Sequence, residues 1–237
     1  MKSKAKRRLS RKIHRYMGLF IGVQFLFWTI GGLYFSWTNI DEIHGDHILT
    51  EGGERTVAST SLGDASGRYD IREADLRFIG DRAYLWVNDE KLVDVQTWEA
   101  KDSLTREEAL TIADSHIKSD YNVADVEYIT EAGDHHEYRG RPLPAWVVHY
   151  EGDDNISAYI SAREGTFQRV RHDSWRYFDF LWMLHTMDYN GRDDFNNWLL
   201  RAFSILGLIT ILSGFTLFYY TSPTIRKLTH RRLPLHS

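Results

Sequence analysis

Residues 17–37 read MGLFIGVQFLFWTIGGLYFSW, twenty-one positions without a charged side chain. At about 1.5 Å of helical rise per residue the stretch covers about 31 Å, close to the hydrocarbon thickness of a bilayer. It reads as a transmembrane helix over residues 17–38. Ahead of it, residues 1–16 carry eight Lys and Arg and no acid. A signal peptide is the rival reading, because a charged segment precedes the apolar one. The span is long for such a peptide, and SWTNIDEIHG after it offers no small-x-small cleavage site, so the expectation is an uncleaved anchor.

A second apolar stretch, WLLRAFSILGLITILSGFTLFYY at residues 198–220, gives a second helix over 196–220. Its one charge, Arg201, lies within a turn of the end and can snorkel to the interface. The tail at 221–237 is again basic, with Arg226, Lys227, Arg231 and Arg232. Two spans return the chain to its starting side, and both tails are positive, so the expected topology has both termini cytoplasmic. All 33 Asp and Glu lie between Asp41 and Asp194, together with only 16 of the 29 Lys and Arg. The ends and the middle therefore belong to different compartments. A mean hydropathy of −0.42 excludes a many-span transporter. The absence of cysteine excludes disulfides, thiolate metal sites and a cysteine nucleophile.

Small residues recur at helical spacing in both spans. Gly18 and Gly22 form G-x-x-x-G, and Gly207, Thr210 and Gly214 share a face, which predicts close helix packing within one chain or in a homodimer. Gln24, Thr29, Ser204, Thr210 and Ser213 are placed to hydrogen-bond between helices. Trp28 is an exception among the aromatics, since it falls at mid-span rather than at an interface.

The middle, 39–172, reads as an α+β domain. Residues 50–67 form a Gly/Ser/Thr-rich loop. Period-2 segments follow at 73–78, 83–88 and 92–97, then a helix opening at SLTREE with a capping signature and ending near Ser119. Further strands are expected at 123–130, 145–150, 156–161 and 166–171, with a polar hairpin loop at 134–144. YLWVNDEKLVDVQTWEA (84–100) and WVVHYEGDDNISAYISAREGTF (146–167) share a strand, acidic turn and strand order, a weak internal repeat. Residues 173–195, DSWRYFDFLWMLHTMDYNG and its continuation, read as an amphipathic segment lying on the membrane surface.

The helix SLTREEALTIADSHI, the strands around PAWVVHYEG and NISAYISAREG, and the two spans together resemble a PepSY-domain protein with PepSY-associated transmembrane helices. The most specific parts are R-x-x-H-R-x-x-G-x-x-x-G at Arg11 to Gly22 and Leu184-His185. The resemblance covers Arg11 to Tyr220. It implies a bacterial inner-membrane protein whose central domain is periplasmic. Some larger four-span relatives resemble dihaem reductases acting on iron chelates, whereas this chain has two spans.

His14 and His185 are the candidate haem b ligands, with His230 as a partner for His14 inside, and His44 or His47 as partners for His185 outside. A span of about 30 Å separates the two membrane ends, so His14 and His185 of one chain cannot share an iron. The alternative for each is an interface residue contacting lipid. His44-Gly-Asp-His47 and Asp134-His135-His136-Glu137 carry metal-ligand residue types without the i, i+4 spacing that fixes two imidazoles on one side, and read first as polar loops. No catalytic site is assigned. No phosphate loop, nucleophile elbow or dinucleotide fingerprint occurs, and the acidic middle argues against nucleic acid. The leading expectation is a non-enzymatic membrane anchor that binds or regulates an envelope partner, such as a peptidase, with Trp146 and residues 145–150 as surface candidates. The rival is a haem-binding electron-transfer subunit of a ferric-chelate reductase, and a third reading is an accessory subunit that dimerises through its helices.

Overall fold

A computed structural model describes residues 2–51, 68–192 and 194–223, with side chains from residue 8 onward. Most of the predicted 50–67 loop, the C-terminal tail and His230 lie outside the described residues. The chain divides into two compact units, Met1–Trp37 with Phe180–Ser237, and Thr38–Asp179.

In the first unit, α1 (Lys2–Trp37) and α5 (Trp198–Thr221) are, among the described residues, the two helices long and apolar enough to cross a membrane. The basic tail is not a separate element, because α1 is continuous from Lys2. Nothing in KSKAKRRLSRK breaks a helix, and Lys, Arg and Ala are strong helix formers. α1 packs on α5 through Ile21, which is fully buried, and a Phe20–Phe203 ring pair at 5.6 Å. A Cβ at Gly207 would stand 3.0 Å from the Phe25 ring, so the glycine is what lets the helices approach there. A Cβ at Gly18 or Gly22 would meet nothing within 4 Å among the described residues.

The second unit holds α2 (Ile40–His44), β1 (Ala74–Ile79), β2 (Arg82–Val87), β3 (Lys91–Asp94), β4 (Ala100–Lys101), α3 (Arg106–His116), β5 (Val123–Ile129), β6 (Ala145–Tyr150), β7 (Ser157–Ser161) and β8 (Thr166–Arg171). β1-β2-β3-β4 and β5-β6-β7-β8 form two antiparallel meanders with strands in chain order. The two repeat copies are the central hairpins of the two sheets, β2–β3 and β6–β7. α3 carries a full capping box: Thr105 Oγ1 accepts from Glu108 N, and Glu108 Oε2 accepts from Thr105 N. Such a cap contributes about 1 kcal/mol. The helix stops at His116, earlier than expected, where the chain bends and Thr50 N donates to His116 O.

One core is built from Ala109, Ile112 and Ala113 of α3, Tyr84, Trp86 and Leu92 of the first sheet, and Val148, Ala158, Ile160 and Val170 of the second. Trp146 belongs with this core rather than with the surface. Its ring lies 4.7 Å from that of Tyr128 at an inclination of 57° and donates from Nε1 to Leu104 O, on an inner strand between β5 and β7. β4 and α2 had no clear sequence signal, being two and five residues long.

α4 (Asp173–Thr186) follows β8 and crosses the division between the units at Asp179 and Phe180.

Candidate functional site

The last four carbonyls of a helix have no helical donor, and in the first unit side chains supply one to each of three of those of α4. Gln24 Nε2 donates to Leu184 O at 2.9 Å, Trp28 Nε1 to His185 O at 2.8 Å, and Asn197 Nδ2 to Thr186 O at 3.0 Å. Gln24 and Trp28 are one helical turn apart on α1, and Gly31 and Phe35 continue the same stripe. This accounts for the mid-span Trp28. The end of α4 is therefore docked along α1. Apolar surroundings leave a carbonyl no water to bond, so a span that accepts a helix end must carry polar donors there.

His185 sits in this contact among Trp28, Phe35 and Trp182, its ring nearly parallel to Trp182 at 12°. A Cβ at Gly31 would stand 3.6 Å from His185 Nδ1, which is buried and has no hydrogen-bond partner among the described residues. His14 is set differently. Its Nδ1 lies 3.1 Å from Ser213 Oγ, a Cβ at Gly214 would stand 3.0 Å from its Cε1, and it lines an apolar groove of about 610 Å³ with Phe25, Ile211, Phe215 and Phe218. With Nδ1 engaged, Nε2 is the remaining ligand atom. Gly214 on α5 thus seats an imidazole of α1. The Gly31 seat of His185 lies seventeen residues along α1 from His14, about 25 Å of helix. One iron cannot reach both.

In the second unit His44 is exposed at the end of α2, capped by Gly45. His47 lies with its ring 5.3 Å from that of His172, a residue the sequence did not single out. His135 and His136 line a polar groove of about 490 Å³ with Glu127, His149, Tyr159 and Arg176, over the face of the β5–β8 sheet turned away from α3. Behind the groove is a charge network. Glu137 accepts from Tyr159 Oη at 2.5 Å and from both Arg176 Nε and Nη2 at 2.7 and 3.0 Å, while Arg139 donates to Asp179 at 2.6 Å. The Arg171 guanidinium lies 3.8 Å over Trp175, and its Nε donates to Glu137 O. The loop expected to be solvated is thus half interior: Tyr138 is fully buried and stacked on Tyr159.

Burial, then the Glu137 carboxylate, pushes Tyr159 far above the ordinary phenol range, and burial pushes Tyr138 to about 12. Burial and the neighbouring Arg169 bring Arg171 down to about 9, still charged at neutral pH. Hydrogen bonding from Asn155, then from Arg176, holds Asp173 below the carboxylate range. None of this network was legible beforehand, since its bonded members lie 22 to 40 residues apart. The nearest signal was the alternation Arg169-Val170-Arg171, which puts two arginines on one face of a strand.

The chain matches the family described as the PepSY-associated TM region over residues 1–220. A search of curated proteins and one of solved structures give no match. The match spans both long apolar helices and the whole α+β domain between them. With the R-x-x-H-R-x-x-G-x-x-x-G motif lying on α1 and Leu184-His185 at the end of α4, the protein is a membrane protein belonging to the PepSY-associated TM family.

Proposed function

We propose that the chain is an inner-membrane protein with both termini cytoplasmic, and that its central domain binds an envelope protein, a peptidase included, without transforming it. The basic tails support that orientation. The observation that carries the binding reading is the polar groove over the β5–β8 sheet. Its walls offer acceptors at Glu127, donors at Arg176 and imidazoles at His135, His136 and His149, on a frame made stiff by the Glu137–Arg176–Tyr159 bonds. Convergent polar groups in a preformed concavity fit a polar peptide segment. A photo-crosslinking residue at Glu127, in the full chain in intact cells, gives a discrete adduct with one envelope protein. The same residue at exposed Glu107 on α3 gives none. Equal labelling from both positions, or none from Glu127, refutes the reading.

A second reading, haem binding, is favoured by His14 alone, whose Nδ1 is held by Ser213 while the ring lines an apolar groove. Haem b held there by His14 Nε2, with a histidine from a second copy of the chain, would supply one-electron transfer. Ser213 would orient the ring, and Phe25, Phe215 and Phe218 would exclude water. A Soret band lost in His14→Ala supports it, and no band after expression with haem supplied refutes it.

A further inference from the structure

Three segments of the central domain meet at its edge: the turn after α2, the β6–β7 turn and the end of β8. They bring His47, Asp154 and His172 together so that one ligand atom from each lies within 4.8 Å of the others. His172 is 1% exposed, and its Nε2 lies 3.3 Å from the carbonyl oxygen of Ile43. A carbonyl only accepts, so Nε2 carries the hydrogen and Nδ1 of the neutral ring holds a lone pair. That Nδ1 is buried and has no hydrogen-bond partner among the described residues, and Asp154 Oδ2 lies 3.6 Å from it. A neutral imidazole fixed by a backbone carbonyl through one nitrogen, with the other turned to a carboxylate and a second imidazole, is how metal-binding histidines are oriented.

We propose that His47, Asp154 and His172 bind one divalent cation of the borderline class, Zn²⁺ foremost. Bonds of about 2.0–2.1 Å at tetrahedral angles put ligand atoms about 3.4 Å apart, which the Asp154–His172 pair nearly meets as it stands. Two imidazoles and one carboxylate suit zinc better than calcium or magnesium, which prefer all-oxygen shells. Three protein ligands leave a fourth position for water or a group from a partner.

The backbone is arranged for this meeting. Gly45 caps α2 with φ +86°, and a Cβ there would stand 2.5 Å from Val170 Cγ1 and 3.7 Å from the His172 ring. Only glycine lets this turn lie against β8 and deliver His47. Lys118 Nζ donates to His47 O, and Asp173 N donates to Asp154 O, anchoring two of the three ligand segments. The cation would tie the beginning of the domain to its last strand.

The test is Zn²⁺ titration by calorimetry of the full chain in detergent after chelator treatment. One equivalent binds, and Zn²⁺ raises the thermal midpoint. Asp154→Asn and His47→Ala, both at exposed positions and therefore expected to fold, weaken binding at least about tenfold and abolish the thermal shift. His44→Ala, three residues from His47 and outside the cluster, binds as the parent does. Absence of binding overturns the proposal and leaves a His172–Asp154 ion pair. Binding that survives both Asp154→Asn and His47→Ala, or that is lost in His135→Ala instead, overturns it equally.

Discussion

Replacing Glu137 by Gln tests whether the charge network holds the domain together. In the parent, Oε1 accepts from Tyr159 and Arg176 Nη2, and Oε2 from Arg176 Nε, a bidentate pair with a third bond added. Gln keeps the shape and one acceptor oxygen, but its amide nitrogen must face either the Arg176 guanidinium or the Tyr159 hydroxyl. Hydrogen bonds to a charged group contribute about 1.5–3 kcal/mol each, and at least one Arg176 bond is lost outright. Arg176 is 32% exposed on its side chain, so water recovers part of that loss. The expected cost is about 2–3 kcal/mol, or roughly 6–10 °C in the thermal midpoint for a unit of this size. A second readout is independent of stability. Part of the rise in Tyr159 comes from the Glu137 charge and hydrogen bond, so Glu137→Gln lets Tyr159 ionise at lower pH. The assay is thermal denaturation of the full chain in detergent, paired with ultraviolet titration of tyrosine. A midpoint within about 1 °C of the parent together with an unshifted tyrosine titration refutes the reasoning, and Arg176→Met in the Glu137→Gln background then costs as much as it does alone.

Gly207→Leu drives a side chain into Phe25 and lowers the thermal midpoint of the helix pair, whereas Gly18→Leu and Gly22→Leu leave it unchanged, because a Cβ at either meets nothing within 4 Å among the described residues. Altered native-gel migration of Gly18→Leu at unchanged stability would show that this face meets a second copy. Trp28→Phe keeps the ring packing and removes the donor to His185 O, costing about 1–2 kcal/mol and speeding amide exchange in the last turn of α4; equal exchange in both proteins contradicts the capping role. Tyr138, Tyr150 and Tyr159 are all raised above 10 by burial, so the folded state keeps protons that the unfolded state releases. Their stabilisation is complete below about pH 10 and declines above it, by up to about 1.4 kcal/mol per tyrosine per pH unit, which urea denaturation at about pH 9 and pH 11 measures.

Much of the strand and helix order could be read from the chain alone. Residues 145–150 and 166–171 coincide with β6 and β8, since short runs rich in β-branched and aromatic residues between turn residues read as strands. The 92–97 segment ends early, at Asp94, whose Oδ1 accepts from Gln96 N and Thr97 N and closes a turn. His14, His185 and His47 were visible as candidates because imidazoles at membrane ends and in acidic loops are uncommon. His172 was not, because its role depends on Ile43 and Asp154, which are distant in sequence.

Charge, hydropathy and periodicity are local properties of the chain, and they are enough to specify the two apolar helices, the acidic α+β domain between them and the family. What each unusual residue does depends instead on contacts made only in the folded chain. The apolar stretch at residues 17–37 is a span by composition, yet its Gln24 and Trp28 are donors to the end of α4, and its Gly31 is the seat of His185. A helix end in an apolar setting needs partners from elsewhere in the chain, and no pattern within about twenty residues specifies which ones arrive.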